Sequence, residues 1–169
     1  MITIRSETAG DAAAIHSVHR AAFPTDAEAR LVDLLRENGH APVSLVADDD
    51  GQIVGHVLFS PITIDGDASA GGLGLAPVAV KPDRQHQGIG SKLIGEGLMT
   101  CRGKGVPFIV VLGDPAFYHR FGFRRASEVG LGNEYGCDDE FMVIALVPNA
   151  IPTAGGLVTY GREFALLGE

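Results

Sequence analysis

The sequence predicts a mixed α/β (α+β) fold, in which a central β-sheet of parallel and antiparallel strands carries helices on both faces. Short β-rich segments separated by tight turns in the first half of the chain indicate antiparallel hairpins. A helical segment follows the apolar strand that ends at Val80 and precedes the one that begins at Phe108, and such a crossover joins parallel strands. Pro77 lies inside the fourth strand, so we expect that strand to be bulged and splayed from its neighbour.

The composition is that of one globular domain. The 169 residues are 46% hydrophobic and 20% charged, which is enough to bury a core without disulfide or metal cross-links. We expect a single domain over residues 1–169 with its core in residues 2–147. The C-terminal tail, 148–169, is left open apart from a late strand over Leu157–Tyr160.

Charge and cysteine content narrow the partners and the location. Acidic residues outnumber basic ones by 21 to 13, and the net charge of −8 argues against a nucleic acid partner. Cys101 and Cys137 lie far apart, which fits a reducing compartment, so the cytoplasm is the expected location. The apolar run over residues 141–158 is broken by Pro148 and Pro152, so we expect no membrane association.

A strand and two helices are predicted first. Ile2–Arg5 alternates as a strand, and Thr8 with Asp11 forms a capping-box start to a helix. Thr25 and Glu28 repeat that start signal for a second helix. The apolar faces of the two helices contain Ile15, Val18 and Ala22, and Leu31, Leu34 and Leu35.

Two turns then separate three strand segments. Val43–Ala47 and Ile53–Ser60 flank the polar turn at residues 48–51 and predict an antiparallel hairpin. Ile62–Ile64 leads into a second turn, and Leu73–Val80 forms the strand that contains the proline.

The second half alternates helix and strand. A helix begins near Ile89, and its Gly95 and Gly97 predict close packing of the helix backbone on a sheet. Phe108–Leu112 is a buried strand and Pro115–Arg120 a short helical turn. Another strand is expected over Glu140–Val147.

The segment 78–98 predicts an anion-binding site, because a strand ends, a glycine-bearing loop turns and a helix begins. Gly88 and Gly90 lack a Cβ, so a phosphate can approach the backbone, and the helix-start amide groups and dipole supply a positive field. An ordinary strand-to-helix turn is the alternative. Three cations flank the loop: Lys81, Arg84 and Lys92.

Two common phosphate-binding motifs do not fit this loop. A Walker loop requires lysine before the serine or threonine, but Ser91 precedes Lys92. A dinucleotide fingerprint requires a third glycine where Leu93 stands.

The remaining pattern, Gln85-x-x-Gly88-x-Gly90, resembles the pyrophosphate-binding signature of the GNAT-type N-acetyltransferases. The downstream aromatic segment 117–123 and the order of predicted elements over residues 2–147 add to this resemblance. It implies acetyl-CoA as acyl donor and direct transfer, in a ternary complex, to an amine on a small molecule or a peptide. The resemblance assigns cofactor binding to Val78, Ala79, Val80, Gln85, His86, Gln87, Gly88, Ile89, Gly90 and Ser91.

Within that family, the pantetheine arm pairs with the fourth strand, here through the backbone of Val78 and Val80. An amide at or beside Ala79 is then the expected donor to the thioester oxygen. Tyr118 is the expected proton donor to the leaving thiolate. Packing against its aromatic neighbours is the alternative role for Tyr118, and His119 is its substitute if the helical turn faces the other way.

The general base is less well defined. Many relatives carry a glutamate on the fourth strand, but residues 73–78 contain no acid. Glu28 is the first candidate, because the first two helices line the acceptor groove in relatives, and a purely structural capping role is its alternative. His56 and Ser44, on neighbouring strands, are weaker candidates.

The remaining polar clusters are expected to be solvated. His16 and His19 are three residues apart on a helix, but no third ligand is near, so we predict a solvated face and no metal. The acidic residues 138–140 are likewise expected in solvent, and attraction of a cationic amine substrate to this negative rim is their alternative role. A non-catalytic acyl-CoA-sensing module and a transferase directed at charged tRNA or a ribosomal protein remain as rival functions. Homodimerisation is open, since no sequence feature defines an interface.

Overall fold

The computed structural model describes residues 1–167. The nine strands in this part of the chain are β1 (Ile2–Ser6), β2 (Val43–Asp49), β3 (Gln52–Ile64), β4 (Leu73–Val80), β5 (Phe108–Leu112), β6 (Arg124–Arg125), β7 (Leu131–Asn133), β8 (Phe141–Ala145) and β9 (Gly156–Tyr160). Its four α-helices are α1 (Ala12–Ala22), α2 (Ala27–Glu37), α3 (Ile89–Gly103) and α4 (Pro115–Tyr118).

The chain divides into two compact units. The first contains Met1–Phe59, Ala76–Gly97 and the segment that starts at Arg162, and the second contains Ser60–Leu75 and Leu98–Gly161. Because β3, β4 and α3 each begin in one unit and end in the other, the two units are not consecutive stretches of sequence.

The first unit is built on the predicted hairpin. β2 pairs with β1 and with β3, both antiparallel. The turn between β2 and β3 has positive φ angles at Asp50 (51°) and Gly51 (96°), which is the geometry that joins two antiparallel strands tightly. The backbone N–H of Thr8 donates to the Asp11 carboxylate over 2.7 Å, so the predicted capping interaction does precede α1.

The second unit contains the mixed sheet. Leu73–Leu75 of β4 pairs in parallel with Ile109–Val111 of β5, which confirms the predicted crossover connection. β5 pairs antiparallel with β8, and β8 with β6. The ladder between β4 and β5 ends at Leu75, just before Pro77, where the sequence predicted that the strand would part from its neighbour.

The C-terminal tail is more ordered than the sequence indicated. β9 spans the predicted late strand and pairs with both β3 and β7. A 3₁₀ helix then follows over Arg162–Leu166. Its buried Glu163 accepts hydrogen bonds from Asn38 Nδ2 (2.9 Å) and His40 Nδ1 (2.6 Å), just beyond the end of α2.

The two glycines inside α3 differ in their surroundings. A Cβ at Gly97 would lie 2.6 Å from Cζ of Phe59, so the predicted close packing is confirmed there. At Gly95 nothing lies within 4 Å of a Cβ, so the same prediction is wrong at that position.

These two glycines give a matched pair of stability predictions. We expect Gly97→Ala to destabilise the protein by about 1–3 kcal/mol, because the new methyl group overpacks the site against Phe59. Gly95→Ala in the same helix should instead stabilise it by about 0.5–1 kcal/mol. Urea unfolding of the two variants measures both effects, and equal shifts in one direction would contradict the packing described here.

Candidate functional site

The loop between β4 and α3 is open to solvent and held by its own polar contacts. Pro82 begins a short 3₁₀ turn, and the chain then passes through positive φ angles at His86 (63°) and Gly88 (82°). The Gln85 side chain turns back and donates from Nε2 to the carbonyl of Val80 over 3.0 Å. This hydrogen bond joins the loop to the end of β4, while residues 85–88 are exposed to solvent.

Beneath the loop, a glycine lets α3 approach the strands. A Cβ on Gly55 of β3 would lie 3.0 Å from Leu93 Cδ1, 3.2 Å from the Ala79 carbonyl oxygen and 3.3 Å from Ile89 Cγ2. Ile89 is correspondingly buried, with 3% of its surface exposed. The first turn of α3 is therefore seated firmly on β3 and the end of β4.

The start of α3 has the geometry that an anion requires. The N–H of Lys92 donates to the carbonyl of Gly88 over 3.1 Å, and the amide groups of Ile89 and Gly90 lie in the first turn of α3, where a helix offers them no acceptor of its own. No atom of residues 1–167 lies within 4 Å of a Cβ at Gly88, and at Gly90 the nearest such atom is Val80 Cγ2 at 3.9 Å. The site is thus not filled by side chains, and the helix dipole points its positive end into it.

The charge around this site differs from the sequence prediction at one position. Arg84 was expected to be one of three cations available to a ligand, but its guanidinium pairs with Asp49 at the end of β2, 2.9 Å away. Arg84 therefore fastens the loop to the sheet. Lys81 and Lys92 make no ion pair with residues 1–167 and supply the positive charge beside the loop.

The last three residues of β4 point their side chains alternately to opposite faces of the strand. Ala79 is buried, whereas Val78 and Val80 are half-buried. These three residues lie in the first unit together with the loop. Their predicted roles toward a pantetheine arm and a thioester oxygen concern their backbone groups and remain predictions.

Tyr118 lies in the second unit and is packed among aromatic rings. Its ring contacts Phe117 and Phe123 edge-on, with centroids 5.0 and 5.7 Å away, and a Cβ at Gly113 would lie 2.5 Å from its Cε2. Burial raises the pKa of Tyr118 to about 12, so the phenol keeps its proton at neutral pH. Its hydroxyl makes no hydrogen bond within residues 1–167, and the neighbouring His119 is exposed.

Glu28 does not form the predicted capping box. Asp26 precedes the first residue of α2, and the Thr25 hydroxyl accepts from the N–H of Ala27 over 3.2 Å. Glu28 therefore stands one position too early in the helix to complete the box. Its Oε1 atom is buried and has no hydrogen-bond partner in the described part of the chain.

The weaker candidates His56 and Ser44 belong to a network that sequence reasoning did not assemble. Ser44 Oγ lies 2.7 Å from His56 Nε2, and His56 Nδ1 lies 2.8 Å from His19 Nε2. Ser44 also donates to Glu7, whose carboxylate binds Arg36 through two hydrogen bonds of 2.7 and 3.2 Å. These side chains connect α1, β3, β2, the segment after β1, and α2.

The prediction of a solvated histidine face on α1 is half wrong. His16 is partly exposed and pairs with Asp33 over 2.7 Å, but His19 is completely buried. The signal was present in the sequence, because His19 follows the core residue Ile15 by four positions and so shares its helix face. Burial, followed by the field of His56, lowers the pKa of His19 to about 3.

Glu7 makes the stability of the first unit sensitive to acid. Burial alone would raise the pKa of Glu7, but the His56 ring, with Nε2 3.7 Å from Oε1, and hydrogen bonds from Arg36 and Ser44 together lower it to about 2. A carboxylate with a depressed folded-state pKa stabilises the protein above its unfolded pKa of about 4.3 and loses that contribution as the pH falls. We therefore expect the stability difference between wild type and Glu7→Gln to be full above pH about 5 and to shrink toward pH about 2. Unfolding curves across this range measure it, and a pH-independent difference would contradict the network.

Other features of the described residues lie apart from the loop. The acidic residues 138–140 are exposed as predicted, and Asp138 and Asp139 pair with Arg125 at 3.5 and 3.6 Å. In residues 1–167 no group of three or more His, Cys, Asp or Glu side chains is placed to hold a metal ion. No helix in this part of the chain has the length and apolar character that crossing a membrane requires.

Comparison with known proteins defines the class of this fold. A model of the acetyltransferase (GNAT) domain matches residues 41–125. The N-acetyltransferase YhbS of Escherichia coli K12, itself uncharacterized, is 40% identical over 163 residues, which cover 95% of this chain and 97% of that protein. The chain therefore belongs to the GNAT family of N-acetyltransferases, and the fold class predicted from the sequence is confirmed.

Two solved structures support the same assignment. The crystal structure of YhbS from Escherichia coli in complex with CoA has a TM-score of 0.91 at 39% identity and matches 97% of this chain and 92% of that chain. A GNAT acetyltransferase from Brucella melitensis in complex with acetyl-CoA has a TM-score of 0.82 at 40% identity and matches 97% and 98%. Coverage of 97% means that both matches extend into the C-terminal tail, 148–169.

Proposed function

We propose that this protein transfers an acetyl group from acetyl-CoA to an amine on a small molecule or a peptide, by direct attack in a ternary complex. The observation that carries the proposal is the open start of α3. There Gly88 and Gly90 leave the first-turn amide groups accessible beside Lys81 and Lys92. The CoA and acetyl-CoA bound by the two relatives identify the diphosphate that suits such a site.

The residues assigned to the cofactor fit this role by position and chemistry. Amide groups over residues 87–91 would hold the diphosphate, while Gln85 keeps the loop closed against Val80. The backbone of Val78 and Val80 would hydrogen-bond the pantetheine arm. An amide at or beside Ala79 would stabilise the charge that develops on the thioester oxygen.

The reaction needs two proton movements. The amine nitrogen attacks the thioester carbon, so a C–N bond forms and the C–S bond breaks. The nitrogen loses a proton and the sulfur leaves as a thiolate that gains one. We assign protonation of sulfur to Tyr118, which burial keeps protonated, and removal of the amine proton to Glu28 or a water beside it.

We further propose that the chain acts as a single domain over residues 1–169 and works in the cytoplasm. The cytoplasmic assignment is supported by its two cysteines, Cys101 and Cys137, which are both free thiols. The acceptor is expected to be an amine and not a nucleic acid, given the net charge of −8.

Two linked measurements test the proposed function. Acetyl-CoA is titrated into the protein by calorimetry, and a panel of primary alkyl amines, polyamines, amino sugars and peptides with a free α-amino group is screened for release of free CoA. We expect saturable binding and amine-dependent CoA release. Binding without release for any amine would favour a sensing module, and absence of binding would end the proposal.

A further inference from the structure

In the network formed by His19, His56, Ser44 and Glu7, each hydrogen bond has a defined donor and a defined acceptor. Glu7 is ionised, so its carboxylate can only accept, and the Ser44 hydroxyl donates its single proton to it. Ser44 Oγ must then accept from His56 Nε2, 2.7 Å away. The donor and acceptor roles at this end are therefore fixed by the charge on Glu7.

The same logic extends to α1. His56 is completely buried and neutral, because burial lowers its pKa, so a proton on Nε2 leaves Nδ1 as a lone pair. That lone pair accepts from His19 Nε2 over 2.8 Å. His19 consequently carries its proton on Nε2, and its own Nδ1 is a hydrogen-bond acceptor.

His19 Nδ1 is the last acceptor in this series of hydrogen bonds, and no donor reaches it in the described part of the protein. It is buried and has no partner in residues 1–167. Glu28 Oε1, on the helix α2 that packs against α1, is a second buried acceptor without a partner in residues 1–167. Both atoms lack a group that could donate an N–H or O–H bond. A neutral imidazole does not repel a cation, and a carboxylate attracts one.

We propose that His19 Nδ1 accepts a hydrogen bond from an N–H of the acceptor amine. The hydrogen bonds that link His19 through His56 and Ser44 to Glu7 hold the imidazole ring in the orientation this requires. This inference rests on the proposed function and identifies its acceptor as an amine that keeps at least two N–H bonds at the site. One bond is directed to His19 and a second to Glu28. These bonds orient the nitrogen, and Glu28 receives the proton lost on acylation.

Nitrogen-15 NMR of the histidine rings tests this inference without turnover. We expect His19 and His56 to be unprotonated at Nδ1 between pH 6 and 8. The probe is the amine with the fastest CoA release, or methylamine if none is acetylated, and it is added with CoA in place of acetyl-CoA. It should shift the His19 Nδ1 signal and leave that of His40 unchanged. A proton on His19 Nδ1, or a signal that saturating amine does not move because the site holds a buried water only, would overturn the inference.

Two substitutions of His19 distinguish the role of its Nδ1 from that of its Nε2. His19→Gln places an amide near the Nε2 position, so it preserves the donor to His56 but removes the Nδ1 acceptor. We expect the KM for the amine to rise at least tenfold with the KM for acetyl-CoA unchanged. His19→Asn places its amide near Nδ1 and should restore part of the amine affinity at lower thermal stability. His16→Gln on the same helix is the matched control and should leave both constants unchanged.

The outcomes distinguish this inference from the function on which it rests. Amine-dependent CoA release with wild-type amine KM in both His19 variants rejects the inference alone. Absence of release for every amine rejects the proposed function, and the methylamine titration still decides whether His19 accepts an N–H.

Discussion

Gly88→Asp is expected to weaken acetyl-CoA binding by at least about a hundredfold while the protein remains folded. Space is available for the side chain, since nothing lies within 4 Å of a Cβ at Gly88. The added carboxylate would stand where the diphosphate is bound, and two like charges 4 Å apart repel by about 4 kcal/mol at an effective dielectric constant of about 20. A repulsion of that size corresponds to roughly a thousandfold in the dissociation constant. Calorimetric titration with acetyl-CoA measures the loss.

The chain offers a control with the same backbone geometry. Gly66, in the turn after β3, also has φ of 82° and nothing within 4 Å of a Cβ. Gly66→Asp therefore carries the same left-handed strain, about 1–2 kcal/mol, but should leave acetyl-CoA affinity unchanged. Gly88→Asn separates charge from bulk and should bind more tightly than Gly88→Asp. Equal affinity in wild type and Gly88→Asp would remove the loop from the binding site.

Tyr118→Phe is expected to lower kcat by about a hundredfold or more with little change in acetyl-CoA affinity. General acid catalysis by a positioned side chain contributes about 10²–10⁴-fold, and phenylalanine has no proton to give to the leaving thiolate. The phenylalanine ring keeps the contacts with Gly113, Phe117 and Phe123, so the fold should survive. Steady-state kinetics with the best amine and calorimetry with acetyl-CoA separate the two effects.

The pH profile adds a second signature for Tyr118. Because its pKa is raised to about 12, loss of its proton should not limit kcat below a pH of about 11. Tyr135→Phe, at an exposed tyrosine, is the control and should retain full turnover. If Tyr118→Phe turns over as fast as wild type, the tyrosine is a packing residue and the proton comes from elsewhere.

Much of the fold follows from periodicity and turn chemistry. β4 and β5 have the predicted bounds, because continuous apolar runs between turn residues leave few alternatives. β6 and β7 were not predicted, since two and three residues are too few to show alternation. Their pairing depends on β8 and β9, which lie far along the chain.

The candidate site was predicted well where it depends on local backbone chemistry. Gly88 and Gly90 are open and lie at a helix start, as their spacing indicated. Arg84 was misassigned because its partner, Asp49, comes from a strand turn 35 residues earlier. Sequence spacing carries no information about such long-range ion pairs.

The side chains proposed to contact the amine substrate were predicted less well, because they too are brought together by contacts between residues distant in sequence. The network from His19 to Glu7 joins residues 37 positions apart at two of its contacts, so no local motif reveals it. Glu28 matched a capping pattern by spacing, but α2 begins after Asp26, so Glu28 stands one position too early to complete a capping box. Its Oε1 is buried without a donor among residues 1–167.

The central claim is that the backbone amides at the start of α3 bind the diphosphate of the acyl donor. A ¹H–¹⁵N NMR titration with CoA tests it most directly, because each amide reports on its own hydrogen bond. We expect the amide signals of Gly88, Ile89 and Gly90 to shift more than those of two glycines outside the loop, Gly66 and Gly95. Saturable CoA binding that leaves these three amide signals in place would contradict it.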